Sequence, residues 1–209
     1  MADAIRLSEI DLSNIGDHAR LRQGDRCYFL FEYTSGKTYA FSRTNNLISN
    51  LKKKPSISSE NELYYKQQAI NQAAAALRQA LNPDGLAKVT LVPVAGSKMP
   101  GHPDFDPRME KVCRLIAPKA DVRNLVVQTA STEAAHEAEQ GDRITVEQLL
   151  AVYAIDESLC TPAPTAIWIM DDVLTAGTHF RAMEILLSQR FAGVPIYGIF
   201  IARRVFAAD

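Results

Sequence analysis

The chain has 209 residues, 47% hydrophobic and 22% charged, which suits one globular domain with a full core or one domain with a small appendage. A formal net charge of -1 gives no general pull toward nucleic acid or acidic membrane, and the run Lys52-Lys53-Lys54 reads as a solvated loop. No apolar stretch approaches the ~20 residues of a membrane span, the start lacks the apolar core of a signal peptide, and Cys27, Cys113 and Cys160 are too scattered for a disulfide framework or a paired-cysteine metal site, so a cytoplasmic protein is expected.

In chain order, CYFLFEYTSGKTYAFS reads as two aromatic-rich strands around Thr34-Ser35-Gly36-Lys37, an N-terminal β-hairpin. Gly36-Lys37-Thr38 resembles the end of a phosphate-binding loop, but Phe31 stands where that motif needs a glycine. Ser59 and Glu62 have capping-box spacing, and Leu63, Ile70, Ala74, Leu77 and Leu81 mark one face of the helix that follows. Asn82-Pro83-Asp84-Gly85 stops it. Residues 88–94 predict a strand, 95–107 a Gly/Pro-rich loop, 108–117 a helix and 124–129 a second strand. The polar stretch 130–142 predicts a loop and 144–155 a helix. A third strand is expected over 165–170, a helix over 179–191 with Met183, Ile185 and Leu186 inward, and a fourth strand over 195–204. Apolar strands alternating with helices mean an α/β fold, a mainly parallel sheet with helices on both faces. Residues 1–58, with the hairpin, form a hood or cap in this reading, and 59–209 the core.

The third strand ends in Asp171-Asp172, followed by Thr175-Ala176-Gly177-Thr178 and a helix. Ligands of such sheets collect at the carboxyl ends of strands. A turn leading into a helix offers unpartnered N–H groups and the positive end of the dipole, a seat for phosphate. Gly177 allows close approach, Thr175 and Thr178 add hydroxyls, and His179 either touches the phosphate or caps the helix. Two carboxylates beside such a seat suit a ligand with a phosphate and vicinal hydroxyls, or a divalent cation. A receiver-domain pocket is excluded because its acids come early in a domain, and too little chain follows these. His18, His102, His136 and His179 lack metal-ligand spacing; Trp168 reads as core, Arg203 and Arg204 as surface.

The segment IWIMDDVLTAGT resembles the ribose-phosphate signature of type I phosphoribosyltransferases, and TAGT with Arg181 shortly after is most similar to the orotate phosphoribosyltransferase variant. The layout also resembles the competence-protein branch. The resemblance implies transfer of a phosphoribosyl group from Mg2+-bound 5-phosphoribosyl 1-pyrophosphate to a nitrogen nucleophile, with release of pyrophosphate. Asp171 and Asp172 would hold the ribose hydroxyls and the Mg2+, directly or through water; Thr175, Ala176, Gly177, Thr178 and His179 would hold the 5-phosphate. Ala95, Gly96, Ser97 and Lys98 would form the pyrophosphate loop, and a loop over 130–143 would close on the centre. Arg143 is then a loop catalyst or a surface ion-pair partner. The family is often dimeric, so a second copy or a partner protein is expected. Two departures bear on substrate: acids at Glu133, Glu137 and Glu139 replace the lysines of orotate enzymes, and Thr175 stands where purine-salvage relatives often carry an acid. A non-catalytic sensor of phosphoribosyl pyrophosphate or nucleotide, and an interaction component of a multi-protein bacterial cassette, are the rival readings.

Overall fold

The computed structural model describes residues 5–130 and 144–207. Its sheet is built from β1 (Ser8–Glu9), β2 (Cys27–Thr34), β3 (Thr90–Pro93), β4 (Asp121–Val122), β7 (Ile167–Leu174) and β8 (Ile196–Val205) in the order β1-β2-β8-β7-β3-β4. All neighbours pair in parallel except the short β1, which lies antiparallel to β2. The apolar runs IWIM and GIFI make β7 and β8 strands that must be covered on both faces. Ile167, Ile169, Met170, Ile201 and Ala202 are accordingly fully buried.

Helices α1 (Arg43–Leu51), α2 (Glu60–Ala80) and α4 (Arg108–Ile116) cover one face, packing Ile48, Leu51, Ile70, Leu77, Val112 and Ile116 against Met170 and Ile201. A short turn of helix, α3 (Pro83–Leu86), follows α2. The other face carries α5 (Val146–Val152) and α6 (Thr178–Arg190), which bring Leu149, Phe180, Met183 and Leu187 onto Ile167, Ile169 and Phe200. The Ser59–Glu62 capping box forms at the start of α2, and Ile70, Ala74, Leu77 and Leu81 are buried on the expected face. Among the described residues no helix is long and apolar enough to cross a membrane.

Several expectations are corrected. The hairpin is absent: after β2 the chain passes a turn at 35–36 and irregular backbone into α1, and β2 instead pairs with β8 from Cys27↔Gly198 to Thr34↔Val205. The first arm of the expected hood is therefore a strand of the core sheet. A central parallel partner satisfies β2 along its length, so a return strand is not needed. Residues 126–128 form β5, which leaves the main sheet and pairs antiparallel with β6 (Tyr153–Ile155), the tail of the expected helix. Its place beside β3 is taken by β4. Tyr-Ala-Ile continues a helical pattern as readily as a strand, and pairing with β5 decides it. Trp168 is half-buried, packed against the α1–α2–α4 side.

Candidate functional site

From β3 the chain moves to β4 on one side; from β7 it moves to β8 on the other. The boundary between β3 and β7 is thus a topological switch point, where loops from the two strands diverge and leave a crevice. A cavity of about 450 Å³ opens there, lined by Ala95, Gly96, Ser97 and Lys98 after β3 and by Asp171, Asp172, Thr175 and His179 around the end of β7. Its volume is that of a small-molecule site. The two segments singled out in the sequence, separated by more than seventy positions, meet on it. Ala176, Gly177 and Thr178 lie in the turn without lining the cavity. Arg143 and residues 131–142 of the expected mobile loop lie outside the described residues.

The turn is shaped from behind. Thr175 O accepts from His18 Nδ1 at 2.5 Å and Ala176 O from the amide of Arg20 at 2.8 Å. A trans peptide aims C=O and N–H in opposite directions, so the amides of Ala176 and Gly177 point away from this strap. Gly177 is left-handed (φ 85°) and a Cβ there would come 3.1 Å from Leu21 Cδ2, so both backbone and space require glycine. The first amides of α6 have no intrahelical acceptor, and no side chain caps them. The strap is itself anchored: buried Arg181 donates through Nε to Arg20 O and pairs with Asp25 and Glu184. Arg203 and Arg204, expected at the surface, instead hold Asp17 through its carboxylate and its carbonyl, and Arg204 is buried.

Burial disfavours the charged form of both histidines at the turn. Burial lowers the pKa of His18 despite the Thr175 carbonyl. A carbonyl only accepts, so His18 carries its proton on Nδ1, and its buried Nε2 has no hydrogen-bond partner among the described residues. Burial pushes His179 down to about 4, with Lys52 and Arg108 adding to the effect and Asp172 opposing it. The Tyr153 hydroxyl lies 2.8 Å from His179 Nδ1. Burial raises the pKa of Tyr153, and Asp171 raises it further, so that hydroxyl keeps its proton.

The acids differ from the expected matched pair. β7 runs on through Leu174, so Asp171 and Asp172 stand within the strand; both line the cavity, but their surroundings differ. Asp172, only 3% exposed, turns to the α1–α4 side. Its Oδ2 accepts from Arg108 Nε at 2.9 Å and Nη2 at 2.7 Å, and its Oδ1 lies 3.3 Å from Lys52 Nζ. Arg108 also reaches Asp106 at 2.7 Å, and Asp106 pairs with buried Lys66 at 2.6 Å. Lys66 in turn caps α1 through Leu51 O and Lys53 O. Burial works against the Asp172 charge, but Arg108 and Lys52 outweigh it and hold the carboxyl well below its usual range. Burial, then the Asp172 charge, pushes Asp171 up to about 7. One Asp171 oxygen accepts the Asp172 amide at 2.7 Å.

Lys98 is buried at the cavity, and Gln128 of β5 donates to Ser97 O at 2.9 Å, fixing the 95–98 loop. Sequence reading missed Arg108, Lys52, Asp106, Gln128 and Tyr153. The one usable signal was the density of charge in DFDPR within a Gly/Pro-rich loop. Nothing local marks Lys52, which reaches the site only through the packing of α1. Among the described residues no three His, Cys, Asp or Glu side chains are grouped as a metal would need. The donor set does not fit a divalent ion held by the two acids, because both Asp172 oxygens already meet cationic groups. The chain matches no protein-family model and resembles no curated protein sequence closely enough to be matched.

Proposed function

We propose that the cavity binds a ribose 5-phosphate group and that the protein is a phosphoribosyltransferase, transferring the phosphoribosyl group of 5-phosphoribosyl 1-pyrophosphate to a nitrogen nucleophile with release of pyrophosphate. The observation that carries this reading is the convergence, on one crevice at the switch point, of Thr175 and His179 from the turn, the β7 carboxylate Asp171 with its raised pKa, and a loop bearing a buried lysine. The amides of the turn and the neutral His179 ring would take the 5-phosphate. Asp171 would accept from ribose hydroxyls. Lys98 and the 95–98 loop would take the pyrophosphate end. Positive charge growing on the ribose ring would then be stabilised by Asp171, the acid that Arg108 and Lys52 do not already neutralise.

A non-catalytic sensor of the same ligand is the second reading, favoured by the commitment of Asp172 to Arg108 and Lys52. Calorimetry with ribose 5-phosphate tests the site, and pyrophosphate release from phosphoribosyl pyrophosphate with a panel of bases tests the activity. Asp171→Asn is expected to weaken the first about tenfold and abolish the second. Binding without release across the panel selects the sensor; no binding of either ligand defeats both readings.

A further inference from the structure

The acidic floor of the cavity carries its own counter-charge. Two carboxylates, Asp106 and Asp172, are interleaved with three cations, Lys52, Lys66 and Arg108, beside Asp171. Arg108 donates through Nε and Nη2 to the one oxygen Oδ2 of Asp172 and through Nη1 to Asp106, so two carboxylates fix the guanidinium. Burial works against its charge, and Asp172 and Asp106 outweigh that cost and keep it protonated. A divalent ion at Asp172 would have to displace this fork or lie within a few ångströms of it and of Lys52. Like charges at such separations repel, and more strongly where burial lowers the effective dielectric.

Resting on the phosphoribosyl reading, we propose that Arg108 and Lys52 occupy the electrostatic role of a divalent cation at Asp172, so that the ribose 5-phosphate end of the ligand binds without metal. Arg108 is then a positioning residue, holding Asp172 charged and out of reach, and leaving Asp171 as the acceptor for hydroxyls. The substrate class is a phosphate monoester with vicinal hydroxyls. Any metal that arrives with a pyrophosphorylated ligand belongs to that ligand.

Ribose 5-phosphate is the probe because it has no pyrophosphate to bring a metal of its own. Calorimetry in EDTA and in millimolar Mg2+ is expected to give the same affinity within about twofold. Free Mn2+, counted by electron paramagnetic resonance, is expected to be unchanged by the wild-type chain. Arg108→Gln uncovers Asp172, so it should gain a Mn2+ site and bind the sugar phosphate at least about tenfold more tightly with metal than without. Where that variant does not fold, Lys52→Gln, whose side chain is 45% exposed, should show the same gain in smaller measure. Wild-type binding that needs Mg2+, stoichiometric Mn2+ on the wild-type chain, or variants without metal gain each overturn the proposal. Absence of ribose 5-phosphate binding in both buffers overturns the phosphoribosyl reading itself, and this inference with it.

Discussion

The turn at 175–179 and the acids at 171–172 adjoin in sequence, yet they are held in opposite ways. The turn is fixed from outside by neutral hydrogen bonds to its carbonyls from His18 and Arg20. Of the acids, Asp172 is fixed from inside by charge, through Arg108, Lys52 and the Asp106–Lys66 pair behind them. The difference teaches how one crevice can present donors on one wall and an acceptor on the other. Engaging the carbonyls turns the Ala176 and Gly177 amides away from the strap; pairing Asp172 with Arg108 and Lys52 leaves Asp171 outside those ion pairs.

The comparison breaks most visibly at Arg108. Arg108→Gln leaves Asp172 and Asp106 buried without their bridge, and urea denaturation should show a loss of about 3–5 kcal/mol; a loss under ~1 kcal/mol would mean that charge does not hold this wall. On the other wall, His18→Ala removes a buried ring and a hydrogen bond to Thr175, with an expected loss of about 1–3 kcal/mol. Its sharper readout is selectivity: affinity for ribose 5-phosphate should fall about tenfold while that for unphosphorylated ribose does not change.

Acidity separates the walls next. Asp171 is raised from 3.8 to about 7, so between those values the folded chain holds a proton that the unfolded chain has lost, and its contribution to stability falls as pH rises. His179, lowered from 6.5 to about 4, has the reverse sign, its contribution falling as pH drops through that window. The difference between wild type and Asp171→Asn cancels the histidine: the melting-temperature advantage of the variant should grow from pH 5 to pH 8, and a flat difference would refute the raised pKa. The smallest effect is expected at Lys52, where a half-exposed partner of Asp172 is worth about 0–1 kcal/mol, so Lys52→Gln should leave the urea midpoint nearly unchanged.

Much of this was legible in the residues. The capping box at Ser59, the apolar face of α2 and the apolar runs of β7 and β8 are local patterns, and local physics decides them. Loop 95–98 and turn 175–179 were found because strand, turn and helix follow one another within a few positions. The misread parts were those settled at long range. The strand CYFLFEYT is written the same way whether it pairs with its neighbour or with residues 198–205. The end of β7 was placed at Met170 because two acids look like loop, whereas in place they are strand residues, Asp172 paired with Arg108 and Lys52 and Asp171 accepting the Asp172 amide. Asp171 and Asp172 were read as equals because spacing does not reveal which of them meets Arg108 and Lys52.

The partnership of β2 with β8 also sets a timetable. A ribosome making ~5–20 residues per second needs roughly 10–30 s to cover the roughly 160 residues between Thr34 and Ile196. Over that interval the nascent chain displays Phe29, Leu30 and the unsatisfied edge of β2, and the middle of the sheet closes only when the last strand emerges.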